Sequence, residues 1–151
     1  MANSRATQEA HFVIGGNGFL GSSIIRLLKG RGEQHVHVFD LSAPAAGSSF
    51  EKVTYHSGDI TNAESLNKAL LEASNANINA GQPGDVVIYH TASPVAGLGK
   101  DVYEKVNVQG TETVIQVAKE LHIKKLVFTS SAGVLFTGED LVNVDERFPS
   151  P

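Results

Sequence analysis

Between His11 and Asp40 the chain passes from a short apolar run into a glycine-rich turn, then a helical pattern, then a second apolar run closed by an acid. Phe12 to Ile14 is long enough for a buried strand. Gly15, Gly18 and Gly21 follow at intervals of three. Leu20, Ile24, Ile25, Leu27 and Leu28 then recur at helical spacing, and Gly30 and Gly32 stop the helix. Val36 to Phe39 predict a second strand ending at Asp40. This order is a βαβ unit, and its right-handed crossover commits the chain to a parallel sheet.

The glycine spacing carries chemistry as well as shape. Gly15 lets the chain turn sharply out of the strand. Gly18 lets a pyrophosphate approach the backbone where the helix N-terminus offers N–H groups and a positive dipole end. Gly21 lets the helix lie close to the strand. Asp40 falls about 20 residues beyond Gly21, the distance expected of an acid that accepts from a ribose hydroxyl. The spacing is Gly-x-x-Gly-x-x-Gly, not Gly-x-Gly-x-x-Gly, so the flanking strands and the acid carry the dinucleotide reading. The alternative is a tight turn in a sheet protein that binds nothing.

The rest of the chain repeats the alternation. Val53 to His56, Asp85 to Tyr89 and Leu126 to Phe128 predict three further strands. Thr61-Asn-Ala-Glu64 has the spacing of a capping box and opens a helix carrying Leu66, Ala69, Leu70 and Ala73. Asn75 to Gly84 predicts a polar connection. A long helix runs from about Asp101 to His122, with Gly110 inside it, where a bare backbone implies close packing. The fold class is therefore α/β, a partial Rossmann-type doubly wound parallel sheet of about five strands in the order 3-2-1-4-5. Residues 1–10 are expected to form a flexible tail and 11–151 the NAD(P)-binding domain. A cofactor should lie across the carboxyl ends of strands one and four.

Composition narrows the function. The 151 residues carry a net charge of −4 with no basic run, against nucleic-acid binding, and contain no cysteine, against disulfides and thiolate chemistry. The first ten residues lack the apolar core of a signal peptide and no stretch has the length of a membrane span, so an intracellular location is expected. His35 and His37 share a strand face without a third metal ligand near them in sequence. His90 reads as a packed histidine, and Glu139, Asp140, Asp145 and Glu146 as a solvated acidic stretch.

Five motifs together resemble the extended short-chain dehydrogenase/reductases, in their 3β-hydroxysteroid dehydrogenase branch. They are Val13-Ile-Gly-Gly-Asn-Gly-Phe-Leu-Gly21, Gly58-Asp-Ile60, His90-Thr-Ala-Ser-Pro94, Asn107-Val-Gln-Gly-Thr111 and Phe128-Thr-Ser-Ser-Ala132. The resemblance implies that Gly15, Gly18 and Gly21, with Phe19 and Leu20, form the diphosphate turn. It implies that Asp40 takes the adenosine ribose, that Asp59 and Ile60 flank the adenine, and that Thr91, Ala92 and Ser93 pass the cofactor. Asn107 matches a structural asparagine. Ser131 matches the serine of a Ser-Tyr-Lys catalytic group; the residue alone could equally cap a strand exit. Because Asp40 would repel a 2′-phosphate and no arginine follows it, NAD is favoured over NADP.

The implied reaction is oxidation of the 3-hydroxyl of a 4α-carboxysterol, with decarboxylation of the β-keto acid so formed, in sterol biosynthesis. The implied location is cytoplasmic or at the endoplasmic reticulum. That chemistry needs a Tyr-x-x-x-Lys helix. Four residues beyond Tyr55, Tyr89 and Tyr103, the three tyrosines, stand Asp59, Ser93 and Asn107. The chain therefore reads as the cofactor-binding part of a longer enzyme, inactive alone. An exposed sheet edge and self-association, a homo-oligomer, are expected. The rival readings are another extended short-chain enzyme (a nucleotide-sugar epimerase or a ketone reductase) and a non-catalytic dinucleotide-sensing domain.

Overall fold

The computed structural model describes residues 6–76 and 85–136, together with 138, 142–145 and 147. Five strands, β1 (Ala10–Ile14), β2 (His35–Asp40), β3 (Thr54–Ser57), β4 (Val86–His90) and β5 (Lys125–Phe128), pair in parallel in the order β3-β2-β1-β4-β5, as the sequence predicts. The order reverses between β1 and β4. Here the chain crosses from one side of the sheet to the other, and a crevice opens beyond the strand ends.

Strand periodicity sorts the core into two layers. Phe12, Ile14, Phe39 and Ile88 point to one face. They pack there against Leu66 and Leu70 of α2 (Ala63–Ala76) and Val114 and Val117 of α4 (Gly110–Glu120). Val13, Val36 and Val38 point to the other, against Ile25 and Leu28 of α1 (Phe19–Gly30). Each fully buried Phe, Leu or Ile contributes about 1.5–3 kcal/mol by leaving water. Coverage runs out at β5, whose Leu126, Val127 and Phe128 are all exposed.

Three local expectations change. The tail does not extend to residue 10: Ala10 is buried in β1, and Thr7 donates to Glu33 Oε2 through its N–H at 2.8 Å and its hydroxyl at 3.0 Å. Residues 1–5 lie outside the described residues. The predicted capping box shifts by one residue. Asn62 accepts from Ser65 N–H at 3.0 Å, because Thr61 already donates through its N–H and hydroxyl to Asp59 Oδ1. The long helix comprises α3 (Lys100–Tyr103), a π-helical turn (Glu104–Gln109) and α4. Most of the predicted polar connection, 77–84, lies outside the described residues. Gly110 meets its expectation: a Cβ there would stand 2.4 Å from Ile60 Cδ1.

His37 pairs with His56 of β3 and not with His35. The rings stack with centroids 5.5 Å apart, and His37 Nδ1 lies 3.2 Å from His56 Nε2. Glu72 stands 3.9 Å from His56 at the rim. Among the described residues no three side chains form a metal-binding group. Burial first, then the neighbouring charges of His56 and His35, press the His37 pKa down to about 4. An unfolded chain takes up this proton near pH 6.5, so the stabilisation is complete above that pH and is lost as pH falls towards 4. The loss from His37 is on the order of 2 kcal/mol after allowance for solvent screening. Thermal melts of the chain and of His37→Phe across pH 7 to 4 test this; equal pH slopes in the two proteins would refute it.

Candidate functional site

β1 ends directly under α1, so the four residues from Gly15 to Gly18 must reverse the chain within one turn. Gly15 does so at φ +80°, with its N–H donating to Phe39 O at 2.8 Å. A Cβ on Gly15 would stand 2.7 Å from Ala92 N, in the loop after β4. Gly21 has a Cβ position 2.3 Å from Gly15 O, so the first turn of α1 lies directly on the glycine turn. Thr91 locks the loop after β4 to the same place, its N–H and hydroxyl donating to Ile14 O at 2.9 and 2.8 Å.

These contacts shape a cavity of about 490 Å³ at the carboxyl edge, running between the glycine turn and the tip of β2. Gly15, Gly18, Asp40, Asp59, Ile60, Thr91, Ala92 and Ser93 line it, so eight of the residues proposed from sequence come together. Gly21 lies buried behind the turn. Phe19 and Leu20 project their side chains outward, Phe19 being 92% exposed, so only their backbone groups can serve the site. Asp59 accepts from Thr61 on Oδ1 and from Lys105 Nζ on Oδ2 at 3.3 Å. The Thr61 N–H bond first, then the Thr61 hydroxyl and Lys105, outweigh burial and hold its carboxyl below the usual range.

Ser131 lies apart from the cavity. It is exposed and caps a 3₁₀ turn (Ala132–Leu135), its Oγ accepting from Gly133 N–H at 3.1 Å. His90 is buried as read, with Nε2 3.0 Å from Thr111 Oγ1 and its ring edge against Phe128; burial lowers its pKa. Asn107 is exposed on the π-helical turn. Sequence reasoning missed Asn17, Lys105 and the apolar wall of Leu98, Val102 and Val106. The wall was visible as positions four apart, but looked like ordinary helix core.

The two ends of the cavity differ in charge. At the glycine turn, the cap residue Gly18 offers no side chain to α1, and the first turn of α1 contains no acid. Its leading N–H groups therefore remain for an anion. At the tip of β2 stands the Asp40 carboxylate, an acceptor for hydroxyl groups. An anion-binding end and a hydroxyl-binding end, joined by an apolar wall, fit a pyrophosphate-linked dinucleotide.

Sheet order, switch point and glycine turn define a Rossmann-type domain. A sequence model of the 3-beta hydroxysteroid dehydrogenase/isomerase family matches residues 12–151, and the chain belongs to that family. It is 39% identical over 146 residues to the Candida albicans sterol-4-alpha-carboxylate 3-dehydrogenase, decarboxylating, covering 92% of this chain and 39% of that protein. The human protein of that name is 36% identical over 138 residues, covering 91% and 33%. The chain thus spans about two fifths or less of the curated relatives it matches. In fold it resembles the Thermus thermophilus UDP-glucose 4-epimerase solved with NAD, with TM-score 0.74, 23% identity and coverage of 94% of this chain and 44% of that one. It also resembles the Bordetella bronchiseptica enzyme WbmG solved with NAD and UDP, with TM-score 0.76, 18% identity and coverage of 100% and 46%. Among the described residues no helix is long and apolar enough to cross a membrane.

Proposed function

We propose that this chain is the NAD-binding part of a decarboxylating sterol-4α-carboxylate 3-dehydrogenase. The observation that carries the reading is the Asp40 carboxylate sharing one cavity with the uncapped N-terminus of α1. The pyrophosphate would sit over Gly15 and Gly18, held by backbone N–H groups of the first turn, including those of Phe19 and Leu20. Asp40 would accept from the adenosine ribose and disfavour a 2′-phosphate. Asp59 and Ile60 would border the adenine, and Thr91, Ala92 and Ser93 the far half of the cofactor.

When bound, NAD supplies the acceptor for the hydride leaving C3 of the sterol. Ser131 would hydrogen-bond the substrate's 3-oxygen through its hydroxyl proton, since Gly133 uses only the oxygen. Taking up the 3-hydroxyl proton needs a base of the Tyr-x-x-x-Lys type, which this sequence does not contain. The chain therefore binds cofactor without turning over sterol. The family relatives support the sterol, and the exposed β5 edge supports a homo-oligomer. One observation favours a second reading, a dinucleotide-sensing domain: Ser131 is exposed, outside the cavity and engaged in its own turn.

Calorimetric titration of the chain with NAD and NADP tests the cofactor reading. NAD should bind more tightly than NADP. Asp40→Ala should raise the NAD Kd roughly ten- to a hundredfold, as loss of a hydrogen bond to a charged group implies. An unchanged Kd in the variant, or binding of neither nucleotide by the unsubstituted chain, would overturn it.

A further inference from the structure

Asn17 occupies the turn between Gly16 and Gly18, yet both its backbone and its side chain act on the loop after β2. Its N–H donates to Asp40 Oδ2 at 3.0 Å. Its side-chain Nδ2 donates to Ser42 O at 2.6 Å. Ser42 N–H returns a long contact to Asp40 Oδ1 at 3.5 Å. Asn17, Asp40 and Ser42 thus form a closed set of contacts, and all three line the cavity with Leu41. We infer that the Asn17 amide sets cofactor choice, by holding the Leu41–Ser42 segment against the glycine turn so that the Ser42 N–H stays turned to Asp40 and away from a 2′-phosphate.

The inference rests on the dinucleotide reading and goes beyond the charge of Asp40. With Oδ2 committed to Asn17, Oδ1 has only the long Ser42 contact and remains for a ribose hydroxyl. A hydroxyl donates and is accepted there. A 2′-phosphate brings oxygens with nothing to donate, and meets a carboxylate beside a wall that the side-chain bond keeps in place. Once that bond is cut, the 41–42 segment can move away from the turn, and the Ser42 N–H and hydroxyl become donors within reach of a phosphate. Asn17 is therefore a positioning residue. The backbone of Asn17 is not left-handed, so alanine is compatible with its conformation.

The test is the ratio of NADP to NAD dissociation constants for the 151-residue chain, Asn17→Ala and Asn17→Asp. Asn17→Asp keeps the shape but removes the donor to Ser42. Adenosine 2′,5′-bisphosphate and adenosine 5′-monophosphate serve as a second pair of probes that omit the nicotinamide. The ratio should fall about five- to tenfold in Asn17→Ala, the equivalent of one side-chain hydrogen bond. In Asn17→Asp it should fall less, because the added carboxylate repels the phosphate. If the amide only braced the loop, both affinities would weaken together. A ratio within a factor of two of the unsubstituted chain in Asn17→Ala, or NADP binding that stays undetectable in both variants, overturns the inference. Failure of the unsubstituted chain to bind NAD would overturn the functional reading itself and is seen separately in the same titrations.

Discussion

Gly21→Ala should lower the unfolding free energy by about 2–3 kcal/mol and abolish measurable NAD binding, whereas Gly30→Ala in the same helix should be neutral or stabilising. The two glycines stand at opposite ends of α1 and differ in what a methyl group would meet. At Gly21 a Cβ would lie 2.3 Å from Gly15 O and 2.7 Å from Gly16 Cα. Both are backbone atoms of the turn, so no side chain can yield. Relief requires α1 to lift from β1, which opens the anion-binding end of the cavity. The strain outweighs the roughly 1 kcal/mol that alanine gains over glycine in a helix. At Gly30 nothing lies within 4 Å, and alanine should add about 0.5–1 kcal/mol. Urea unfolding and NAD calorimetry on both variants decide the matter. A Gly21→Ala chain that binds NAD normally would mean that the helix start and the turn are not coupled.

Glu33→Ala should cost about 2–3 kcal/mol, the penalty for leaving buried hydrogen-bonding groups without their acceptor. Glu33 follows α1 and is fully buried. Its Oε2 lies 3.3 Å from His11 Nε2 and accepts both hydrogen bonds from Thr7; its Oε1 faces Arg31 at 3.6 Å. His11, itself 3% exposed, passes the contact on through Nδ1 to Tyr89 OH at 3.2 Å. Alanine would leave the Thr7 N–H without its acceptor at the amino edge of the sheet, leave the Thr7 hydroxyl only His11 Nε2 at 3.1 Å, and free the segment before β1. Burial alone would raise the Glu33 pKa, but the two Thr7 bonds and His11 outweigh it and hold the carboxyl below its ordinary value. This stabilisation is therefore present above the ordinary carboxylate pKa and lost as pH falls through the folded value. Glu33→Gln, which keeps an acceptor but cannot titrate, should lose less stability and lose it independently of acid. Denaturant unfolding at pH 7 and pH 4 separates the variants; a Glu33→Ala cost under 1 kcal/mol would show that the cluster is dispensable.

The strand order and the glycine turn were legible because each rests on local pattern: apolar runs of fixed length, helical spacing and glycine intervals. The lining of the cavity was legible wherever a residue stands in a motif, as Gly15, Asp40 and Thr91 do. It was hidden wherever the role depends on a partner distant in sequence. Nothing near Asn17 announces Ser42, and nothing near Glu33 announces Thr7. Phe19 keeps its motif position at the start of the helix while its side chain turns away from the cavity, a direction that the motif does not specify. The capping residue moved from Thr61 to Asn62 because an acid two residues before Thr61 competes for its hydroxyl, a contest that spacing alone does not express.

The π-helical turn at Glu104–Gln109 divides the labour of one rod. Each i→i+5 turn takes about one residue more than an α turn, which sets the following residues back by roughly 100°. Before the offset Val102 faces the cavity; within it Val106 lines the cavity and also touches the core; beyond it Val114 and Val117 face the sheet. The segment works as a phase shifter, letting a single helix serve as a wall of the pocket at one end and as a layer of the core at the other.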